Sequence, residues 1–316
     1  MWSSNAIPVA NAVSNPFRLP VIGYDPWTSA LDNATEYPFF IRTGPANSDI
    51  SKVYGAYLRH MSFNSIAVVT DDDAFTGDFG QGVVDDMKEN GATVLYHGVF
   101  PAVPTGAAVD LKGRAHLDAV RSISSHLFRA REKNARIIFV AVKGDLGRIA
   151  MSMALKQAGY FGKGFAVIDG EFKHAMLNLD LIATEQVNVN GIVHLSVGPG
   201  TCQTTAPCPH TACGGPACAV SSGVMNQAYD AVYTMASALA PQFRTGGDSY
   251  LKGVQGTREE GMAAIRATSL SAKIAASGFL EFSGPLLNTR DKVRINQHVV
   301  PVFHSTSSIF WTNRFI

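Results

Sequence analysis

Three consecutive carboxylates, Asp71, Asp72 and Asp73, follow the apolar run at residues 65–70 and form the densest acidic group in the chain. Carboxylates at the end of a strand are placed to hold a divalent cation. No Glu follows at the offset an EF-hand loop requires, so no metal is assigned to them. They are expected to solvate a loop and cap the helix that follows. Four cysteines, Cys202, Cys208, Cys213 and Cys218, fall within a Gly-, Pro- and Thr-rich stretch that also holds His210. No Cys-x2-Cys pair is present, which disfavours zinc. Two local disulfides and an oxidising compartment are the preferred reading, with connectivity open. Residues 20–45, PVIGYDPWTSALDNATEYPFFIRTGP, are the stretch the rest is organised around. A short apolar strand runs into Tyr24, Asp25, Trp27 and Thr28, so a phenol, a carboxylate and a hydroxyl gather at its carboxyl end, where open α/β sheets bind ligands. Trp27 either stacks on a ligand or is buried at a hinge. Asn33-Ala34-Thr35 is an N-glycosylation sequon and is expected in an exposed loop.

Composition excludes several classes. The 316 residues are 46% hydrophobic and 16% charged, with a net charge of +1. That describes a globular chain long enough for two cores. No dense Lys/Arg run offers a phosphate footprint, so no nucleic-acid partner is expected. No apolar stretch reaches the ~20 residues a membrane helix needs. Residues 1–13 have neither the basic region nor the apolar core of a signal peptide. The Gly-x-Ser-x-Gly, His-Glu-x-x-His and Gly-x-x-x-x-Gly-Lys-Ser/Thr signatures are all missing, and 144–147 lacks the third glycine of a dinucleotide fingerprint. Neither catalysis nor a cofactor is expected.

The elements that must position these groups alternate. Residues 4–15 read as a helix stopped by Pro16, and 49–60 as a helix with Ile50, Val53, Tyr54 and Tyr57 on one face. Strands are expected at 65–70, 93–99, 136–142, 165–168 and 191–197. Helices are expected between the earlier ones, closed by Gly91 and Gly159. A later helix carries Met225, Ala228, Val232, Met235 and Leu239, with Pro241 beyond its end. Repeated strand–helix alternation predicts α/β architecture with doubly wound parallel sheets.

Five segments in order also carry a resemblance. They are 20–45 itself, IAVVTDDDAFTGDFGQGVVDDM, ARIIFVAVKGDLGRIAMSMALKQAGYFGKGFAVIDGE, NQAYDAVYTMASAL and GFLEFSGPLLNTRDKVRI. Together they resemble the ligand-binding regions of class C G-protein-coupled receptors and receptor guanylyl cyclases. These share the type I periplasmic-binding-protein, or Venus-flytrap, fold. The resemblance implies two doubly wound lobes joined by a multi-crossing hinge. Residues 1–44 and 220–282 would form the first lobe, 45–200 and 283–316 the second lobe and hinge return, and 201–219 a cysteine-rich insert. It places Phe75 where an aromatic ring covers the ligand, and Asp169 where a carboxylate grips a ligand ammonium. Ser3 and Ser4 match a serine turn whose amides bind an anion. The turn Asp25-Pro26-Trp27-Thr28 departs from the family's carboxylate grip, and Asp25 would repel a carboxylate there.

The resemblance therefore implies an extracellular sensor for a small molecule, an amino acid or a related compound, working by lobe closure at the outer face of the plasma membrane. A transporter's solute-binding protein is the alternative. A homodimer through the first lobe is implied, with membrane contact only through segments absent from this chain. Ser3 and Ser4 match a turn that normally follows two or three strands, so the first lobe is expected to be incomplete.

Overall fold

A computed structural model of the chain describes residues 3–24, 28–44, 46–103, 110, 112–170, 192–197, 223–246, 257–268, 282–283, 289–290 and 295–299. It divides into two compact units, Met1–Ile50 with Val197–Arg294, and Ser51–Ser196 with Ile295–Ile316. The chain thus passes from one unit to the other three times.

The second unit is built on a six-stranded sheet. Its strands are β3 (Ser65–Asp71), β4 (Thr93–Phe100), β5 (Ile137–Ala141), β6 (Ala166–Asp169), β7 (Ile192–Val197) and β10 (Ile295–Val299), in the order β10-β7-β6-β5-β3-β4. The β3–β4, β3–β5, β5–β6 and β6–β7 pairs are all parallel. Parallel sheets need both faces covered, which is why β3 and β5 are continuous apolar runs rather than alternating ones. From Ile66 to Asp71 every residue of β3 is buried.

One face is covered by α5 (Arg114–Glu132) and α6 (Asp145–Gln157). Ala119, Val120, Ile123, Leu127 and Ala130 recur at helical spacing along α5 and pack with Ile149, Ala150 and Leu155 of α6 on Ala67, Val69, Ile138 and Val140. The other face meets α3 (Asn47–His60) and α4 (Thr76–Glu89), through Tyr54, Phe79 and the β5 ring of Phe139.

Four helices that cover this sheet end the same way. After α4, Gly91 has φ +78, its N–H donates to the Lys88 carbonyl at 3.0 Å and the Ala92 N–H donates to the Met87 carbonyl at 2.9 Å. This left-handed cap satisfies two carbonyls that the helix leaves open. Gly159 closes α6 in the same manner, as do Asn134 after α5 and Ser62 after α3. Glycine pays no steric cost for that conformation.

The first unit opens with α1 (Ser3–Val9), which runs through a π-helical turn (Ala10–Ser14) into the short α2 (Asn15–Phe17). Pro16 therefore does not stop the helix as expected. It directly follows the π-helical turn within one continuous helical run, and the helix ends two residues later at Arg18 with φ 51. Strands β1 (Val21–Gly23) and β2 (Phe40–Arg42) pair in parallel, with Val21 opposite Phe40. Between them lies a 3-10 turn (Ser29–Asp32). Phe39 and Ile41 pack against Ala238 and Leu239 of α7 (Gly223–Gly246) and Met262 and Ile265 of α8 (Thr257–Arg266). Pro241 lies inside α7, not beyond it. Strands β8 (Phe282–Ser283) and β9 (Thr289–Arg290) form a small antiparallel pair.

Helix α4 approaches β3 closely at Gly80, where an added Cβ would overlap the side chain of buried Thr70. Glycine in an exposed helix costs about 1 kcal/mol relative to Ala. At Gly80 the sign should reverse, because overpacking costs about 1–3 kcal/mol. Gly80→Ala is expected to lower the urea midpoint of the second unit. A raised midpoint would mean that α4 and β3 are not packed this tightly.

Candidate functional site

The carboxyl ends of parallel strands leave backbone amides outside any ladder, and the second unit meets these amides with the aspartate run. Asp71 is fully buried. One of its oxygens accepts from the Thr76 hydroxyl and from the Asp73 N–H at 3.3 Å. The other accepts from the Lys143 N–H at 2.9 Å, beyond the end of β5. Asp72 turns the other way, its Oδ1 accepting from the Ala102 N–H at 2.6 Å just after β4. Asp73 accepts from the Phe75 N–H at 3.0 Å and pairs with the Lys143 ammonium at 2.8 Å. The three side chains thus tie together the loops after β3, β4 and β5. Asp73 also caps the entry to α4 as expected, its side chain accepting from the N–H two residues on and its carbonyl from the Gly77 N–H at 2.8 Å, while Phe75 itself makes no side-chain cap. Among the described residues no group of three His, Cys, Asp or Glu side chains is arranged to hold a metal ion.

Beside this clamp stands an aromatic cluster. Tyr54, Phe79 and Phe139 meet edge to face at centroid distances of 5.0, 5.5 and 5.4 Å, the geometry ring quadrupoles favour. Phe75 adds its ring 6.3 Å from Phe79. The Tyr54 hydroxyl donates to the carbonyls of Asp169 and Gly170, at 3.5 and 3.4 Å. Gly170 is held between rings, since a Cβ there would overlap Phe79 and come within 2.8 Å of Phe139. Phe75 and Asp169, far apart in sequence, meet the same aromatic cluster, Phe75 through the Phe79 ring and the Asp169 carbonyl through the Tyr54 hydroxyl. They are 9% and 2% exposed, so both belong to the wall of the strand ends.

In the first unit the end of β1 gives a second constellation. Tyr24 is half-buried and Thr28 is buried. The Thr28 hydroxyl accepts from the Ala30 N–H at 3.4 Å and opens the 3-10 turn. Its carbonyl accepts from Arg42 Nη1 at 2.9 Å. Arg42 is completely buried and ion-pairs with Asp32, which in turn accepts from the Ser48 hydroxyl at 2.8 Å. A buried guanidinium is tolerated only where its charge and donors are met, and here it fastens the turn that carries Thr28. Ser3 and Ser4 open α1, though their side chains lie outside the described residues, as do Asp25, Trp27 and the four cysteines with His210.

Several residues that build these sites are missing from the sequence reading. Arg42 is the one charge within FFIRTGP, and a lone charge at the end of an apolar strand was its only signal. Lys143 directly follows the strongest strand, but its ion pair spans 70 residues. Tyr54 is legible as part of an apolar helix face, without its link to Asp169.

A family model described as receptor family ligand binding region matches residues 2–263. The fold is similar to that of a solved protein described as a branched-chain amino acid ABC transporter from Rhodospirillum rubrum. The TM-score is 0.59 at 16% identity, covering 95% of this chain and 76% of that one. No curated protein matches the chain.

Asp71 gives a pH test of the clamp. Burial, the largest influence on it, raises its carboxyl above the ordinary 3.8, while the Thr76 hydroxyl and the Lys143 amide pull it down. With a raised native value, the folded chain takes up this proton before the unfolded chain as pH falls. The ionised group therefore costs stability at neutral pH, and that cost fades as pH drops through the native value towards 3.8. Asp71→Asn removes the titration. The stability of the native protein minus that of the variant, from urea unfolding at about pH 7 and about pH 4.5, should grow towards acid. A difference that shrinks towards acid would place the carboxyl below its ordinary value.

Proposed function

The chain belongs to the family of receptor ligand-binding regions and has the type I periplasmic-binding-protein fold, and from that membership we propose that it is the small-ligand sensor of a membrane receptor. The observation that carries the reading is the match over residues 2–263, which takes in the clamp, the aromatic cluster and the Arg42 constellation together. The proposed setting is the extracellular face of the plasma membrane, in a receptor of the class C G-protein-coupled or guanylyl cyclase type. The proposed action is binding without turnover. A ligand that contacts groups from both units shifts an open–closed equilibrium by the difference between its affinities for the two states. In a homodimer that shift re-angles two copies.

Asp169 and Phe75 are the residues we assign to the ligand, as ammonium partner and covering ring, and Tyr24, Asp25, Trp27, Thr28, Ser3 and Ser4 are assigned to it as well. An amino acid or related amine is the proposed ligand class. Asp25 in the first-unit turn favours amines over ligands that depend on a free carboxylate. The cysteines 202, 208, 213 and 218 are assigned to two disulfides. The second reading is a solute-binding protein that feeds a transporter; the structural neighbour is described as a branched-chain amino acid ABC transporter, and a likeness at 16% identity carries the fold alone.

Isothermal titration of the complete chain against the common L-amino acids and their decarboxylated amines tests the proposal. At least one ligand is expected to bind, and at 100 times its Kd it should add about 2.7 kcal/mol of stability. Asp169→Asn should weaken that ligand by roughly 30-fold or more, the lower range for unpairing a buried charge. Binding that is indifferent to both Asp169→Asn and Phe75→Ala would remove the site from these strand ends.

A further inference from the structure

The sequence contains a single Asn-x-Ser/Thr triplet, at Asn33-Ala34-Thr35. The structure places it at an exposed tip of the first unit. Asn33 and Thr35 face solvent, while Ala34 between them is 6% exposed and Tyr37 just beyond is 4% exposed. The tip is a compact turn. Asn33 Oδ1 accepts from the Thr35 N–H at 3.2 Å and the Glu36 N–H at 3.3 Å. Its backbone carbonyl accepts from the N–H groups of Glu36 and Tyr37 at 3.0 and 2.9 Å. The Asn15 amide donates to the Glu36 carbonyl at 2.7 Å and fastens the tip to α2.

This arrangement uses the oxygen of the Asn33 amide and leaves its nitrogen outward. Nδ2 donates only a long contact, 3.4 Å, to exposed Glu36. Both anchors, Ala34 and Tyr37, point into the core. A large substituent on Nδ2 therefore grows into solvent without displacing a packed side chain or a backbone hydrogen bond.

We propose that Asn33 is the N-glycan acceptor of this chain, an inference that rests on the extracellular reading for its compartment. The donor is a lipid-pyrophosphate-linked oligosaccharide. Nδ2 forms a bond to the anomeric carbon, the bond from that carbon to the pyrophosphate oxygen breaks, and the pyrophosphate leaves with the electron pair. The proton lost from Nδ2 passes to a base of the transferase. The Thr35 hydroxyl, exposed two residues on, supplies the recognition element. The glycan would stand beside the end of α2, where Val13, Phe17 and Leu19 are 39%, 57% and 40% exposed. An oligosaccharide there shields apolar surface that would otherwise favour association.

The test translates the complete chain behind an added cleavable secretion leader in the presence of eukaryotic microsomes. In the protease-protected fraction one endoglycosidase-sensitive shift is expected, lost in Asn33→Gln and in Thr35→Val and kept in Thr35→Ser. Release of the glycan in heavy-oxygen water should label position 33 in the tryptic peptide 19–42. Thr35→Val matters because the turn uses only the Thr35 backbone, so that variant keeps its fold while losing the acceptor signal. The secreted glycoprotein and its enzymatically trimmed form should melt together. A translocated chain with no shift, or a glycoform that unfolds on modification, overturns the assignment. Because the leader is supplied, an unmodified Asn33 counts against this site alone, while the extracellular reading stands or falls on ligand titration.

Discussion

Parallel strands that end side by side present amides with no ladder partner, and water reaches a crowded strand end poorly. An unmet buried donor costs about 1–3 kcal/mol, so the loops after β3, β4 and β5 must be closed by something that accepts. Three adjacent carboxylates do so, and each serves a different neighbour. Asp71 holds the amide after β5, Asp72 the amide after β4, and Asp73 the Lys143 ammonium. Everything that could meet a ligand at this edge hangs on that closure. Phe75 stands where it does because its own N–H is held by Asp73, and Phe79 one turn later carries the aromatic cluster against Gly170.

The first unit meets the converse need with the opposite charge, donating to a carbonyl where the second unit accepts from amides. Arg42 ends β2 inside the core and donates to the Thr28 carbonyl while Asp32 neutralises it. A buried ion pair of this kind adds little net stability over an apolar replacement. Its value lies in geometry, because a guanidinium fork accepts few arrangements. The turn that Thr28 opens is therefore fixed by one side chain from the next strand.

How much of this is legible beforehand follows from distance along the chain. The runs SIAVVT and RIIFVAV announce buried strands because nothing else explains so many consecutive apolar residues, and Gly91 and Gly159 mark helix ends because glycine is the natural left-handed cap. The same cap made by Ser62 or Asn134 carries no comparable signal. Pro16 and Pro241 mislead for one reason: a proline's effect depends on which turn of a helix it occupies, and the sequence does not number the turns. The aspartate run is visible but its work is not, since its partners lie 30 and 72 residues away and become neighbours only through the order β5-β3-β4. The resemblance adds what local reading lacks, since no pattern within either segment links Phe75 to Asp169.

The way the two cores are assembled has a consequence for synthesis. Contacts of the second unit's sheet come mostly from one continuous stretch, so β3 through β6 can pair as soon as they emerge from the ribosome. Phe39 and Ile41 must wait for Leu239 and Ile265, about two hundred residues later. Closing so long a loop adds only logarithmically to the entropy that folding must overcome, yet it imposes a delay in time. At about 5–20 residues per second the strands β1 and β2 spend ten seconds or more without their helices. During that interval the run Phe39-Phe40-Ile41 is bare apolar surface, and a chaperone would find it there before the protein's own later helices do.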